Sequence, residues 1–447
     1  MDARTQQMRE APVLPLLSKM AAPNALAFTV QAFVSMAEVW FIGRLGTSAL
    51  AAIALVFPLL MLTQMMAAGA IGGAVTSSIA RSLGAGDLGR AEKLVWHALA
   101  IICLGAASFL ALFLVVGESF LVFLGGEGEA LSESLAYCFV LFGGGVFFWG
   151  MAILGAVFRG TGDMLFPARL MMAGALMQVV ITGCLVTGAF GLPQLGIVGA
   201  AVSAVTTGVA LSAAFLWRLV RGQQTLKLRL SAMTFSKELF NDIAHVAIPA
   251  SLSPILTVAT VISLTALVGR YGEAALAGYG IGSRIEMLMI PLVFGLGAAM
   301  TTLVGVNKGA GDIQRAEKIG WTGGGLAAAL SGSVGVVLAL TPEFWIPAFT
   351  SDPATFQSAT LYIQIAGPLF AFQGLGSSLY FASQGAGRMA WPIFATLLRV
   401  FLAVGGAVLL SITFGLGLTG IYIAAAIGMV GYGGMIAASL KLGAWQR

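Results

Sequence analysis

Long uncharged apolar runs alternate with short polar interruptions along the whole chain. Cutting at charges and at Gly/Pro turns gives twelve spans: 20–43, 49–80, 94–117, 134–158, 168–189, 196–217, 243–268, 275–306, 319–341, 356–384, 391–414 and 418–440. Each holds about the 20 apolar residues that a helix needs to cross a hydrocarbon core. Two charge-free stretches, 170–217 and 400–440, are too long for one crossing, and GAFGLPQLG and TFGLGLTG split each into a helical hairpin. The runs are continuous and rich in Leu, Ala, Gly and Met rather than alternating over short segments, so the pattern predicts an all-α integral membrane protein.

Composition agrees: 59% of the 447 residues are hydrophobic and 9% charged, with a mean hydropathy of +0.96. That balance excludes a soluble globule. The opening MDARTQQMREAPVLPLLSKM lacks the basic start, short apolar core and small-residue site of a cleaved leader, and it reads as a retained cytoplasmic segment. Lys and Arg settle the orientation. One set of connections carries Arg81, Arg90, Lys93, Arg159, Arg169, Arg218, Arg221, Lys227, Arg229, Lys237, Lys308, Arg315, Lys318 and Arg388. The other set carries Arg44 and Arg270 together with acids such as Glu118, Glu127, Glu129, Glu133, Glu273, Glu343 and Asp352. Both termini are therefore expected in the cytoplasm. The net charge of +5 follows from this bias and gives no reason to expect nucleic acid as a partner. Cys103, Cys138 and Cys184 form no CxxC pair, and they read as small packing residues rather than a disulfide or metal set.

The chain also repeats itself. GRLG at 43–46 recurs as GRYG at 269–272, and Pro23 matches Pro249, both at a shift of 226. GAGDLGRAEKLVW at 84–96 recurs as GAGDIQRAEKIGW at 309–321, a shift of 225, and RGTGDMLFP at 159–167 is echoed by QGAGRMAWP at 384–392. FGL at 190–192 likewise corresponds to FGL at 414–416. Six spans precede the basic segment and six follow it, so the copies run in the same direction. The expected organisation is an N-lobe at 1–217, a cytoplasmic linker at 218–242 and a C-lobe at 243–447. Parallel repeats of this kind suit a transporter that rocks one half against the other. The GAGD loops lack a preceding strand and the GxxxxGK[ST] pattern, so they read as tight turns whose acid caps the next helix. No ATPase motor or subunit is implied, and the driving force must be an ion gradient or the substrate's own.

Few ionisable residues fall inside spans: Glu38, Arg284, Glu286 and, nearer an end, Arg399. A charge at bilayer depth costs on the order of 3 kcal/mol or more, which makes each a candidate for function. Glu38 stands out because Asn24, Gln31 and Glu38 are seven apart and Ser35 is four from Gln31, giving one polar face. At 1.5 Å per residue Glu38 lies roughly 7–8 Å below the outer edge, where a carboxylate can exchange protons during a transport cycle. The competing reading is a glutamate that snorkels outward to pair with Arg44. Thr63 and Gln64, Gln178 and Thr182, and Gln373 with Ser377 are further cavity candidates, although such side chains also serve as helix-to-helix glue. Arg284 and Glu286 are two apart and do not face each other, so a salt bridge elsewhere in the second half is expected of one of them. His97 and His245 sit near helix ends without metal-ligand spacing. Neither a catalytic residue set nor a cofactor motif is present, so an enzyme is not expected.

The stretches EVWFIGRLG, AGAIGGAVTSSIARSLGAGDLGRAEK and IGSRIEMLMIPLVFGLGAAMTTLVGVNKGAGDIQRAEK together resemble the multidrug and toxic compound extrusion (MATE) family, and the last looks most like its DinF-like bacterial branch. The resemblance runs from about residue 15 to the end. It implies twelve helices in two pseudo-symmetric six-helix lobes forming a V, working as a monomer in the bacterial cytoplasmic (inner) membrane. It also implies export of small organic, often cationic, compounds in exchange for H⁺ or Na⁺. In the family the position of Glu38 is commonly an aspartate implicated in cation coupling. Gln178 and Thr182 align where the fifth helix often carries Asn and Asp, while Thr257 and Gln373 align with acids found in some second lobes. With those carboxylates missing, the oxygen-rich site that a hard cation prefers is depleted, which favours H⁺. A lipid-linked intermediate flippase of the same two-lobed fold is the alternative, and the scarcity of intramembrane arginines speaks against it. A receptor or scaffold that moves nothing is a third reading, disfavoured by the duplicated lobes.

Overall fold

The computed structural model describes residues 3–222 and 225–446, so Gln223 and Gln224 of the expected linker lie outside the described residues. A short helix α1 (Ala3–Glu10) leads into α2 (Val13–Gly43), α3 (Thr47–Gly84) and α4 (Leu88–Phe123). The bent pair α5 (Gly128–Gly143) and α6 (Gly145–Gly160) follows, then α7 (Leu165–Thr187) and α8 (Ile197–Arg221). The second set repeats the first: α9 (Lys237–Gly269), α10 (Glu273–Gly309), α11 (Ile313–Leu340), the pair α12 (Pro353–Ala366) and α13 (Phe370–Gly385), α14 (Ala390–Thr413) and α15 (Gly417–Lys441).

Ten of these helices are individually long and apolar enough to cross a bilayer. The pair α5/α6, bent by 54°, supplies an eleventh crossing, and α12/α13 supplies the twelfth in two pieces joined by a 3₁₀ turn at Gly367–Leu369. The two breaks are repeat partners. In the first half the run Gly143-Gly144-Gly145 weakens the helix, and in the second Gly367-Pro368 removes a backbone donor. The expected uninterrupted spans 134–158 and 356–384 are therefore each broken.

Several helices also begin earlier than the charge-based cuts at 94 and 243, because their first turns are polar and capped in water. Asp87 Oδ1 accepts the Arg90 N–H at 2.8 Å, Asp312 Oδ1 accepts the Arg315 N–H at 2.9 Å, and Ser236 Oγ accepts the Leu239 N–H at 3.2 Å. The acids of both GAGD loops thus cap the next helix.

The core shows how the halves are joined. One large apolar cluster, from Met8 and Leu17 through Ile79, Val157 and Phe215 to Val246, Leu303, Tyr380 and Leu440, draws on both lobes at the end that holds both described termini. Toward the opposite end it gives way to two separate clusters. One lies within the N-lobe (Ile42, Val56, Tyr137, Val186) and the other within the C-lobe (Val268, Tyr362, Ala407, Tyr422). Two six-helix lobes joined at one end and individually packed at the other form the V.

Candidate functional site

The polar face expected on α2 is divided by its neighbours. Asn24 is fully buried, with Nδ2 3.1 Å from Met164 Sδ at the start of α7 and Oδ1 left without a hydrogen-bond partner. Farther along, Gln31 is half-buried and Ser35 exposed, with its hydroxyl on the Gln31 carbonyl at 3.4 Å. Glu38 stands one turn deeper than the end of α2, and Gln178 of α7 directs its side chain at it. Ser203 of α8 holds the Gln178 carbonyl at 2.9 Å, and the wholly buried Tyr137 of α5 lies within reach of the Glu38 charge. One carboxylate oxygen, Oε1, is buried without a hydrogen-bond partner, as is Thr182 Oγ1.

The expected alternative, a pair with Arg44, is not formed: the Arg44 guanidinium stacks 4.3 Å above the Trp40 ring instead. An arginine at the helix end gains more from an aromatic face and water than from dragging its charge inward. Gln64 is exposed on α3 just before a π-helical turn at Met65–Ile71, while Thr63 is buried and returns its hydroxyl to the Leu59 carbonyl at 2.7 Å.

The C-lobe carries its own acid in a different setting. Glu286 of α10 meets Arg399 of α14 at 3.6 Å and accepts the Tyr362 hydroxyl at 2.9 Å. Tyr362 packs edge-on against Tyr279 and Tyr422, with centroids 5.4 and 5.2 Å away. Arg284, the other secondary candidate, is exposed and faces away from this group. Gln373 is half-buried with an unpartnered Oε1, and its neighbour Ser377 reaches Tyr432. Tyr137 and Tyr362 are repeat partners at a shift of 225, so each lobe sets a buried tyrosine beside a membrane glutamate delivered by a different helix. The difference is charge: Glu286 has a cation, whereas Glu38 makes no ion pair among the described residues.

Removing Glu286 should strand Arg399 inside the C-lobe. Breaking a buried pair costs about 3–5 kcal/mol, and partial access here reduces the expectation to about 2 kcal/mol for Glu286→Ala. Its detergent melting temperature should fall clearly, and the double variant Glu286→Leu/Arg399→Met should recover most of the loss.

A third constellation escaped sequence reading altogether. At the basic end the lobes are tied by a symmetric set of bonds. Ser77 Oγ of α3 donates to the Gln384 carbonyl at 2.6 Å, and its repeat partner Thr302 Oγ1 of α10 donates to the Arg159 carbonyl at 2.9 Å. Gln384 Nε2 also reaches the Gly69 and Ala70 carbonyls, at 3.1 and 2.9 Å, within the π-helical turn. Arg81 pairs with Asp242 at 2.9 Å and bonds Ser77, while Arg90 pairs with Glu238 at 2.6 Å. Below these, α3 and α10 cross so closely that a methyl group on Gly84 would strike the Val306 carbonyl and one on Gly309 the Arg81 carbonyl. His97, buried nearby, accepts the Ser236 N–H at 3.1 Å and takes part in this anchoring. The signal was present in the repeat, since Ser77/Thr302, Arg159/Gln384 and Gly84/Gly309 are each 225 apart.

Two matched helical lobes, pinned together at one end and each holding a polar group at membrane depth, define a multi-pass membrane transporter rather than an enzyme. Its family follows from the sequence itself. The MatE family profile matches residues 23–182 and 249–409, one match per lobe, and the chain belongs to the MATE family of transporters. It is similar to "Probable multidrug resistance protein NorM" of Thermotoga maritima, 26% identical over 387 residues, which cover 87% of this chain and 83% of that one. It is also similar to a protein of Shewanella oneidensis described as "FAD transporter", 25% identical and covering 83% and 82%. Among solved structures, a MOP superfamily transporter from Pyrococcus furiosus superposes with a TM-score of 0.89 over 99% of both chains at 24% identity. Membership of this family and homology to multidrug transporters make this chain an exporter of small compounds.

Proposed function

We propose that the protein is a secondary active antiporter that exports organic cationic or amphiphilic compounds in exchange for H⁺ by alternating access. The lobes 1–217 and 243–447 are the two moving bodies, linked by 218–242. Positive-inside bias supports a bacterial inner-membrane protein with its basic end and both termini in the cytoplasm. With the basic end closed by the bonds described above, the state is then outward-facing.

The observation that carries the coupling assignment is the Glu38 carboxylate, which has a buried oxygen lacking any partner and no neighbouring cation. Such an acceptor is costly to leave unsatisfied. A proton satisfies it with one bond, whereas Na⁺ needs several oxygens, and the group offers one carboxylate, Gln178 and Thr182. Deprotonated Glu38 attracts the cationic end of a substrate, and a proton arriving from outside displaces it and favours return to the inward-facing state. The flippase alternative finds less support, since Arg399 is already committed to Glu286. The Shewanella relative's name widens the substrate class toward phosphate-bearing aromatics.

The test is efflux from proteoliposomes with proton and sodium gradients imposed separately. A proton gradient alone should drive accumulation of a cationic dye, and a sodium gradient alone should not. Export driven by sodium with the proton gradient collapsed would reverse the ion assignment.

A further inference from the structure

We propose that Gln384 is a positioning residue of the transport cycle: it holds a π-helical turn in α3 while the basic end is closed, and so sets which side chain of α3 faces the space between the lobes. The inference rests on alternating access and on neither the ion nor the substrate.

α3 is not one uniform helix. Met65–Ile71 form a π-helical turn, in which the Gly72 N–H reaches back five residues to the Ala67 carbonyl. The local sequence AGAIGGA permits it. A methyl group on Gly72 would come within 2.7 Å of that same carbonyl, so the widened turn calls for glycine, and one on Gly73 would take the space of the Gln384 amide. Such a turn holds one residue more than the α-helix it replaces, and it persists where something outside the helix meets its displaced backbone groups.

Here the other lobe meets them. Gln384 of α13 is fully buried, and its Nε2 donates to the Gly69 and Ala70 carbonyls at 3.1 and 2.9 Å. Two acceptors on one side fix the amide's orientation and leave Oε1 buried without a partner. An unsatisfied buried acceptor has a cost, so the grip lasts only while the lobes are pressed together. The Gln384 carbonyl also takes the Ser77 hydroxyl at 2.6 Å, so turn and closure share one anchor. The repeat does not duplicate the device. Arg159, the repeat partner of Gln384, turns its guanidinium back to the Ala152 carbonyl of its own helix at 3.4 Å, and the matching stretch of α10, 290–296, is ordinary α-helix.

When the lobes part at the basic end, Gln384 withdraws and the turn recovers its bonds as α-helix. That conversion rotates the preceding part of α3 by about 100° and pushes it ~1.5 Å along its axis, the increments of one helical residue. Each residue ahead of the turn then takes the orientation of the one before it. Gln64 is exposed, and an amide in a membrane helix opens to a water-filled space rather than to lipid. Thr63 ahead of it is buried, and Met65 after it is half-buried. Release therefore withdraws Gln64 and presents Met65 in its place. An amide exchanged for a thioether gives the two states different affinities for a polar compound, which is what a ligand needs in order to bias them.

The test uses the full-length protein with Cys103, Cys138 and Cys184 replaced by alanine, purified in detergent and treated with a charged, water-soluble maleimide. In this parent Gln64→Cys should be labelled faster than Met65→Cys. In Gln384→Leu the two rates should change places. Gly72→Ala leaves Gln384 intact and obstructs the turn itself, so it should produce the same exchange, and it decides the matter if Gln384→Leu fails to fold. Coupling is reciprocal, so both variants should also expose the thiol of Ala80→Cys, a position buried where α3 meets α10. A glutamine that merely packed would lower the melting temperature when replaced without reordering two neighbouring thiols. An unlabelled Gln64→Cys in the parent, the parent order of rates in either folded variant, or an exchange with Ala80→Cys still protected would each overturn the proposal. None of these measurements requires a transported compound, so their failure is distinct from failure of the antiport reading, which the gradient experiment decides.

Discussion

Glu38→Gln should leave the protein folded and unable to use a proton gradient. Exchange of one proton for one monovalent cation moves no net charge, so the pH difference drives it, and each pH unit is worth about 1.4 kcal/mol, which sustains roughly a tenfold concentration ratio of the exchanged compound. Wild-type proteoliposomes should therefore build up dye against its gradient, while the glutamine variant should only equilibrate it. Export by the wild type should also quicken as the pH on the receiving side falls, and that dependence should flatten in Glu38→Gln. Glu38→Asp keeps a carboxylate on a shorter stem and should retain part of the activity. Dye pumping by Glu38→Gln at the wild-type rate under an imposed proton gradient would sink the coupling assignment. The same variant discriminates between roles for the carboxylate. A residue that merely packed α2 on α7 would tolerate the isosteric amide in transport as well as in stability.

Gly309→Val should lock the transporter away from its basic-end closure. The added methyls meet the Arg81 carbonyl, which belongs to a buried helix crossing and has nowhere to go. Overpacking of this kind costs about 1–3 kcal/mol, enough to shift a closed-to-open ratio by roughly tenfold to a hundredfold. Transport should fall because one limb of the cycle becomes inaccessible. Ala80 is fully buried in this contact, so Ala80→Cys reads the change directly once Cys103, Cys138 and Cys184 are replaced by alanine. The introduced thiol should resist a membrane-impermeant reagent applied to the basic side in the parent and react in Gly309→Val. Gly84→Val, the repeat partner against the Val306 carbonyl, should behave alike. Protection of that thiol in both valine variants would mean that the crossing yields without opening.

The two variants probe features that were unequally visible in the sequence. Glu38 announced itself, because a carboxylate in an apolar span has no inexpensive explanation. Its isolation did not: that Arg44 turns to Trp40, and that Asn24 on the same helical face is sealed against Met164, depends on which helices pack on α2. Glu286 and Arg284 were equally eligible by sequence, and only the approach of α14 selected Glu286 by bringing Arg399 to it. The basic-end closure is built from Ser, Thr, Gly and backbone carbonyls. These residue types are so common in membrane helices that composition singles out none of them, and their shared spacing of 225 marks them as repeat partners without saying that they meet.

The sequence by itself determined the class of protein and its duplicated plan. Bilayer thickness imposes a span length, the cost of burying charge marks the interruptions, and the repeat of GAGD and its neighbours makes the two halves alike. Those constraints act locally along the chain and can be read from it. What the tertiary structure alone decided was which end is closed and which glutamate is left without a counter-ion. Each depends on contacts between residues more than 100 positions apart, and in a repeated sequence both copies offer similar local chemistry. The asymmetry arises only when one lobe is placed against the other.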